Sequence, residues 1–269
     1  MTIKKLLYYF KYNFLPSNFR KIIYLYPIIA RLRFFLSSFI NNQQTIKLDG
    51  FSLKVNLIDH PSRILYSYRN NYEYETIGLC KDILKEGDVV IDIGANVGYF
   101  SYIFNLAVGN KGKVYSFEPN PEVYNFLEDN LSRFSSSKVY QQFVSDKENK
   151  IKYTSPNSLF EELSTETVSI NKFIHEKKID LIKIDIDGLD FLALKGCSKY
   201  LESKSKPKII IEIGENSERE HNIHYNEIFI YLENMGYKAF NADKNQKSFD
   251  SSKIKKNEVL NVYFKIHKN

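Results

Sequence analysis

The sequence has few cysteines, and nothing around them suggests a stapled or metal-bound fold. Cys80 and Cys197 are the only two among 269 residues. No metal-ligand spacing surrounds them, so neither a disulfide framework nor a zinc site is expected. The composition, 43% hydrophobic and 26% charged, is that of ordinary globular material. These features favour a reducing, cytoplasmic location.

Acidic residues are missing from the first 47 positions. This stretch holds eight bases, and the remainder has 30 bases against 32 acids, so the net charge of +6 comes from the N-terminal arm. Its first turns place apolar side chains on one helical face and lysines and tyrosines on the other, as in an interfacial helix. We predict that residues 1–44 either pack on the domain or a second copy of the chain, or lie on an anionic membrane surface. Nucleic acid is disfavoured because the aromatic residues sit among Ile and Leu.

The sequence pattern also predicts no membrane-spanning segment. The apolar stretch Ile22–Ile40 is about long enough to cross a bilayer. However, Arg31 and Arg33 near its middle each cost roughly 2.5–3.5 kcal/mol there, and Pro27 interrupts it. No uninterrupted apolar core ends in a small-residue cleavage site, so a signal peptide is not expected either.

The stretch that organises the chain lacks the common phosphate-binding patterns. A β-branched run, Val89–Ile93, is followed by Gly94, Gly98 and an apolar helical segment, which predicts strand, tight turn and helix. The dinucleotide fingerprint needs glycine at the third and sixth positions, but these are Asn96 and Tyr99. No Gly-Lys-Ser/Thr follows, which excludes a P-loop. The turn suits a ligand whose nearest part is an amino acid or a ribose, and S-adenosylmethionine is such a ligand.

Strands and helices alternate after this turn. Further strands are predicted at Lys113–Phe117, Val139–Val144, Leu181–Ile186, Ile209–Ile213, Tyr237–Asn241 and Val259–Ile266. The pattern predicts an α/β fold with a Rossmann-like, mostly parallel, seven-stranded sheet and a ligand at its carboxyl edge.

A hairpin and a helix are predicted before the turn. Residues 45–58 alternate around Asp49 and Gly50 as a β-hairpin, and Ser62–Lys85 looks helical. The predicted organisation is an arm at 1–44, a hairpin with an entry helix at 45–85 and a catalytic domain at 86–269.

Glu118 ends the second strand of the alternation, 20 residues after Gly98. A carboxylate at this place in nucleotide-binding α/β folds can accept both hydroxyls of a ribose. The pairing of glycine turn and acid is more specific than either alone, and it predicts a nucleoside-containing ligand.

Several stretches, in this order and spacing, resemble the FkbM family of S-adenosylmethionine-dependent methyltransferases. They are Val90–Gly98, Phe117–Asn120, Asp180–Gly188 with Asp190, and Leu194–Gly196. The resemblance covers roughly Tyr72–Ile213 and leaves the arm outside. It implies a class I methyltransferase fold and O-methylation, most often of a sugar hydroxyl in a bacterial surface glycan or its precursor. Alternatives are a lipid-linked or other small hydroxyl acceptor.

The resemblance also implies roles for particular residues. Four residues of the turn would hold the methionine part of the donor: Asp92, Gly94, Asn96 and Gly98. Glu118 would hold the ribose, Ser145 or Asp146 would contact the adenine, and Glu75 would close over the methionine end. Where the family has Val-Glu-Gly-x-Glu, this chain has Ile186-Asp187-Gly188-Leu189-Asp190, with both acids one methylene shorter. The shortening motivates another alternative, a membrane-associated binding module without catalysis.

The fourth strand brings charge into a sheet that should be covered on both faces. Lys183, Asp185 and Asp187 alternate on one side of it. Lys183 with Asp185 is either a satisfied internal ion pair or a catalytic pair in which Asp185 takes the acceptor proton. His221 and His224 are alternative bases, and Lys183 with a lowered pKa is another. Glu212 pairs with Lys183 or touches substrate. Carboxylates here could hold a metal ion, but no metal is predicted.

Overall fold

The computed structural model describes residues 26–154, 162–186, 188–214, 224–255 and 258–266. The first 25 residues of the predicted arm, Asp187 and His221 lie outside these ranges. The described residues form two compact units that divide after Tyr72.

The N-terminal unit contains two helices and a hairpin. Its elements are α1 (Tyr26–Leu36), a 3-10 turn (Ser37–Phe39), β1 (Gln43–Leu48), β2 (Phe51–Asn56), α2 (His60–Tyr68) and a second 3-10 turn (Arg69–Asn71). The strands pair antiparallel, with Leu48 opposite Phe51 around the predicted Asp49-Gly50 turn. Gly50 has a φ of +88°, a backbone conformation that glycine adopts without steric cost. Asp59 begins α2 by accepting a hydrogen bond from the Ser62 backbone N–H at 2.7 Å.

The second unit is an α/β domain. Its helices are α3 (Tyr74–Ile83), α4 (Tyr99–Val108), α5 (Pro121–Leu131), α6 (Ile170–Phe173), α7 (Asp190–Lys195), α8 (Ser198–Leu201) and α9 (Asn226–Asn234). Its strands are β3 (Val89–Ile93), β4 (Lys113–Phe117), β5 (Ser137–Tyr140), β6 (Phe143–Val144), β7 (Lys150–Thr154), β8 (Glu162–Val168), β9 (Leu181–Ile184), β10 (Lys208–Gly214), β11 (Tyr237–Asn241) and β12 (Val259–Ile266).

The main sheet has seven strands in the order β11-β12-β10-β9-β3-β4-β5. β12 is antiparallel to both neighbours and the other pairings are parallel, so the predicted mostly parallel seven-stranded sheet is confirmed. The chain runs outward from β3 through β4 to β5, then returns to build β9 and β10 on the other side of β3. This reversal of strand order opens a crevice at the carboxyl ends of β3 and its neighbours, where open α/β sheets bind ligands.

Aliphatic side chains from the central strands form the core. Ile91, Ile182, Ile184, Ile209 and Ile211 are completely buried and belong to one cluster. Such near-continuous apolar strands are typical of a parallel sheet covered on both faces.

Two predicted elements are divided in the structure. The helical stretch after His60 becomes α2 and α3, because Arg69 and Glu73 both adopt φ of 50°, which ends a right-handed helix. The predicted strand Val139–Val144 becomes β5 in the main sheet and β6 in a three-stranded sheet ordered β6-β8-β7. Among the described residues, no helix is both long and apolar enough to cross a membrane.

Candidate functional site

A tight turn joins β3 to α4 at the carboxyl edge of the sheet. Gly94, Asn96 and Gly98 have φ values of +81°, +49° and +91°. A Cβ added to Gly94 would lie 1.8 Å from the backbone carbonyl oxygen of Asp185. Gly94 is therefore required by the close approach of the chain leaving β9, in addition to any ligand.

Glu118 lies beside this turn with a fixed orientation. One carboxylate oxygen accepts a hydrogen bond from the Asn96 backbone N–H at 3.1 Å, and the other accepts one from the Asn120 N–H at 2.9 Å. Glu118 is only 7% exposed. The acid predicted to bind ribose is thus held against the glycine turn, which fits a nucleoside in the crevice.

Asp92 lies below the turn, in a polar row that crosses three strands. Strand register places it next to Ser116 on β4 and Lys183 on β9. It accepts a hydrogen bond from the Ser101 hydroxyl at 2.5 Å, and that hydroxyl is 2.7 Å from the hydroxyl of Ser116. Asp92 is completely buried, and its Oδ1 has no hydrogen-bond partner among the described residues. Burial raises the pKa of Asp92, against the opposing effects of Lys183 and Ser101.

Lys183 and Asp185 form a close ion pair at the end of β9. Lys183 Nζ lies 2.7 Å from Asp185 Oδ2 and 4.4 Å from the centre of the Phe100 ring. The Lys183 side chain is 1% exposed, whereas that of Asp185 is 30% exposed. Burial alone would lower the pKa of Lys183, but the carboxylates of Asp185 and Asp92 outweigh it and the pKa is raised. The ammonium therefore stays charged inside the sheet and fixes the carboxylate of Asp185 at its edge. The alternative prediction, Lys183 as a base with a lowered pKa, is wrong because these carboxylates stabilise the charged form.

Asp190 shapes the loop that follows β9. Its two carboxylate oxygens accept hydrogen bonds from the backbone N–H groups of Ile186 and Gly188, each at 3.0 Å. Burial raises the pKa of Asp190 to about 6, although the backbone donors oppose the shift. The aspartate side chain is long enough to accept a hydrogen bond from each of these two backbone N–H groups. The loop is therefore built around Asp190, the acid that is one methylene shorter than the glutamate of the family pattern.

The family profile described as the methyltransferase FkbM domain matches residues 92–239, more than half of the chain. The chain belongs to the FkbM methyltransferase family. Its cofactor is S-adenosylmethionine, and the glycine turn and Glu118 both lie inside the matched segment.

This methyltransferase is also similar to individual proteins and to solved structures. It is 25% identical over 154 residues to the hexuronic acid methyltransferase AglP of Haloferax volcanii, covering 52% of this chain and 62% of that protein. It is 27% identical over 136 residues to a protein-L-isoaspartate O-methyltransferase of Thermosipho melanesiensis, covering 44% of this chain and 69% of that protein. The chain thus spans somewhat less than two thirds of the Haloferax protein. A solved S-adenosylmethionine-dependent methyltransferase from Aquifex aeolicus has a TM-score of 0.43 and 19% identity, over 73% of this chain and 92% of that one.

The predicted adenine contacts lie at the end of β6. Ser145 is 8% exposed, and its hydroxyl donates to Asp146 at 3.3 Å. Asp146 also faces Lys195 at 3.6 Å. A Cβ added to Gly196 would lie 2.2 Å from the Ser145 carbonyl oxygen, so the turn between α7 and α8 packs directly on this strand end. The adenine role of Ser145 or Asp146 stays a prediction.

The entry motif contains two acids, and the structure places them differently. Glu75 is exposed and accepts a hydrogen bond from the Tyr74 hydroxyl at 3.2 Å. Glu73 instead accepts one from the Asn261 amide at 2.7 Å, which ties α3 to β12. Sequence reasoning missed Glu73, although the repeated Tyr-Glu of Tyr72–Glu75 offered both choices. The lid role of Glu75 is still a prediction.

The histidine predicted as an alternative base lies at the start of α9. His224 Nδ1 accepts a hydrogen bond from the Asn226 backbone N–H at 3.1 Å, and its ring lies 4.4 Å from that of Tyr225. His221, the other candidate, falls outside the described residues. Within the described ranges, no three His, Cys, Asp or Glu side chains are grouped so that they could hold a metal ion.

Proposed function

We propose that this methyltransferase transfers a methyl group from S-adenosylmethionine to a hydroxyl of a sugar in a glycan or glycan precursor. The observation that carries the proposal is Asp185, whose carbonyl packs on Gly94 while its carboxylate is held at the sheet edge by Lys183. The hexuronic acid methyltransferase of Haloferax volcanii supports a sugar as the acceptor class.

Residues on both sides of the turn would hold the donor. Its methionine part is assigned to the turn: Asp92, Gly94, Asn96 and Gly98. Glu118 would bind the ribose, and Ser145 or Asp146 the adenine, with Glu75 closing the methionine end. When bound, the donor supplies a methyl group already activated on a positively charged sulfur.

The task left to the chain is to align the acceptor and to remove its proton. As the oxygen–carbon bond forms and the carbon–sulfur bond breaks, the hydroxyl proton must pass to a base within hydrogen-bond reach. We assign that base to Asp185, because its carboxylate is partly exposed beside the donor turn. Lys183 acts as a positioning residue that keeps this carboxylate in one orientation.

Replacing Asp185 tests the assignment. In Asp185→Asn we expect kcat to fall by about 10²- to 10⁴-fold, the usual contribution of a general base. Calorimetric affinity for S-adenosylhomocysteine should stay within about threefold, since Asn keeps the size of the side chain and the donor groups lie elsewhere. Asp82→Asn, which changes an acid paired with Lys244 at 3.5 Å, is the matched control and should be silent.

His221→Gln and His224→Gln complete the set. If either histidine variant loses activity while Asp185→Asn keeps it, the base is a histidine and our assignment is wrong. Failure of the folded wild-type chain to bind S-adenosylhomocysteine would contradict the methyl donor itself. Glu118→Ala should weaken that binding strongly.

The acceptor is tested separately with nucleotide sugars and extracted glycolipids. Methylation of a nucleotide sugar supports the sugar proposal, and methylation of glycolipids alone supports a lipid-linked acceptor. Binding of the donor product without transfer to any member of the panel would favour the non-catalytic module.

A lipid-linked acceptor is the second candidate, and it is favoured by the surface of the N-terminal unit. Four exposed apolar side chains follow one face of α1 and the turn after it: Ile28 (61%), Leu32 (40%), Phe35 (62%) and Phe39 (69%). The first 47 residues hold eight bases and no acid. An exposed apolar stripe with positive charge and no negative charge matches an anionic lipid surface. We propose a cytoplasmic enzyme that binds the inner face of the membrane through this arm.

Flotation with anionic liposomes tests this surface. The full chain should float, whereas Phe35→Ser/Phe39→Ser and a chain lacking residues 1–44 should stay in the soluble fraction. Ile58→Ser, at an exposed apolar residue off the stripe, is the control. Equal soluble fractions for all chains would rule out the membrane role, and a halved sedimentation mass for the double variant would assign the stripe to a homodimer.

A further inference from the structure

Four polar residues form a continuous line on the side of the sheet edge away from Glu118. β9 and β10 pair in parallel with Ile184 opposite Ile211, so Asp185 and Glu212 follow in neighbouring positions. β10 and β12 pair antiparallel with Glu212 opposite Asn261. Register-paired side chains project from the same face.

The line ends at Glu73, which accepts a hydrogen bond from Asn261 Nδ2 at 2.7 Å. We call these four residues, Asp185, Glu212, Asn261 and Glu73, the acceptor strip.

The donor site determines which side the acceptor must use. The turn at Gly94 and the acid Glu118 place the methionine and ribose parts over β3 and β4. Asp185 follows β9, which lies on the opposite side of β3 from β4. The backbone carbonyl of Asp185 packs against Gly94. An acceptor that meets the methyl group therefore lies over β9, β10 and β12, along the acceptor strip.

The acceptor strip carries three carboxylates, and two of them act on one cation. Lys183 bonds to Asp185 at 2.7 Å, and it is shared with the buried carboxylate of Asp92 beside it. Glu212 also acts on Lys183, since it is among the carboxylates that raise the pKa of this lysine. The four strip residues thus comprise three carboxylates and one amide, and Lys183 is the cation that two of these carboxylates share.

The uncharged member of the strip, Asn261, contains a further acceptor atom. Asn261 donates through its amide nitrogen to Glu73, and its amide oxygen is buried with no hydrogen-bond partner in the described part of the chain. Carboxylates and an amide oxygen all accept hydrogen bonds, so the strip suits a molecule that brings several donors.

We propose that the acceptor strip selects an uncharged hexose and discriminates against a hexuronic acid. The inference rests on the proposed function and adds the charge class of its substrate. Sugar hydroxyls donate to carboxylates in charge-assisted hydrogen bonds. A carboxylate on the sugar would instead meet Asp185, Glu212 and Glu73 with one shared cation, a like-charge arrangement that is costly in a partly buried site. The acceptor would then differ in charge from the one named for the Haloferax protein.

Three acceptors with one nucleotide carrier test the proposal: a hexose, the matching 2-amino sugar and the matching hexuronic acid. The carrier keeps every other contact constant. For the wild-type chain we expect kcat/KM to favour the hexose over the hexuronic acid by about tenfold or more. The amino sugar should be used at least as well as the hexose.

Glu212→Gln removes one negative charge and keeps the shape. It should raise the ratio of kcat/KM for the hexuronic acid relative to the hexose by about tenfold, with S-adenosylhomocysteine affinity unchanged. Glu73→Gln is the second variant and should move the ratio in the same direction. It serves as the test if Glu212→Gln does not fold. Glu86→Gln, at an exposed acid that pairs with Lys111 at 3.3 Å before β3, is the matched control and should leave the ratio unchanged.

Each outcome decides a different point. Equal or better use of the hexuronic acid by the wild-type chain overturns the selection by charge, as does an unchanged ratio in both strip variants. Transfer to none of the three sugars by a chain that binds S-adenosylhomocysteine overturns the sugar acceptor, and the strip proposal falls with it.

Discussion

Two sides of the sheet edge meet at Gly94 and are built differently: we propose that the donor binds on the side of Glu118 and the acceptor on the side of Asp185. Glu118 on the donor side is 7% exposed and accepts hydrogen bonds from two backbone N–H groups. Asp185 on the acceptor side has a side chain that is 30% exposed and bonds to one lysine. Backbone donors fix a carboxylate more firmly than a single side chain does. The acid that we propose for the donor is therefore held more firmly than the acid that we propose for the acceptor.

Lys183→Met should have the largest effect, because Lys183 is the charged link between the two sides. Its loss leaves the carboxylates of Asp92 and Asp185 without their cation, and we expect the free energy of unfolding to fall by about 3–5 kcal/mol. Denaturant unfolding measures this. Lys195→Met removes the cation of a partly exposed pair with Asp146 and should cost less than about 1 kcal/mol. Similar losses of unfolding free energy in both variants would mean that Lys183 stabilises the fold no more than an ordinary surface ion pair does.

Gly94→Ala should come next, because Gly94 is where the two sides touch. The new Cβ would meet the Asp185 carbonyl at 1.8 Å, so the end of β9 must move, and we expect a loss of about 3 kcal/mol. Gly87→Ala is the matched control. Gly87 has a similar φ of +89° with nothing within 4 Å, so it reports the strain of the backbone alone, about 1 kcal/mol. Equal losses in the free energy of unfolding for the two variants would show that the Asp185 carbonyl moves away from position 94 at no cost.

Asp190, which fixes the loop after β9, should make the stability of the folded chain depend on pH. Its pKa is raised to about 6 in the folded chain, above the ordinary value near 3.9 that we expect when unfolded. The folded state therefore binds more protons between these values, and this group adds stability as the pH falls from about 6 to about 4. The gain should reach about 2–3 kcal/mol relative to Asp190→Asn, measured by denaturant unfolding across that range. A constant difference between the two chains would contradict the raised pKa.

Glu75→Gln should have the smallest effect on stability, because the side chain is exposed at the start of α3. We expect a change within about 0.5 kcal/mol. Its effect on the calorimetric affinity for S-adenosylhomocysteine is the informative measurement. A clear loss of affinity would support the lid over the methionine end, and no change would remove Glu75 from the donor side.

The features that sequence could predict are those with a local pattern. β-branched runs followed by glycine or acid gave the central strands, and the spacing from Gly98 to Glu118 gave the second acid of the edge. Alternation in the fourth strand brought Lys183 and Asp185 to one side, and the structure joins them at 2.7 Å. The charge of the pair follows from the sequence, whereas its partners on other strands do not.

The features that sequence could not predict depend on distant parts of the chain. Glu73 and Asn261 are 188 positions apart, and no local pattern links them. The need for Gly94 to accommodate the Asp185 carbonyl is visible only once β3 and β9 are neighbours. The division of the third strand did have a signal, since Gln141 and Gln142 interrupt its apolar run between β5 and β6.

Both native thiols are protected from reaction by burial. Cys80 and Cys197 are completely buried, and burial raises the pKa of each, which disfavours the reactive thiolate. Tyr74 is 61% exposed and stands next to Glu73. A Tyr74→Cys chain would therefore carry a single thiol open to alkylation, without removal of the native ones. A fluorophore attached there would lie at the end of the acceptor strip and would report directly whether a sugar binds to it.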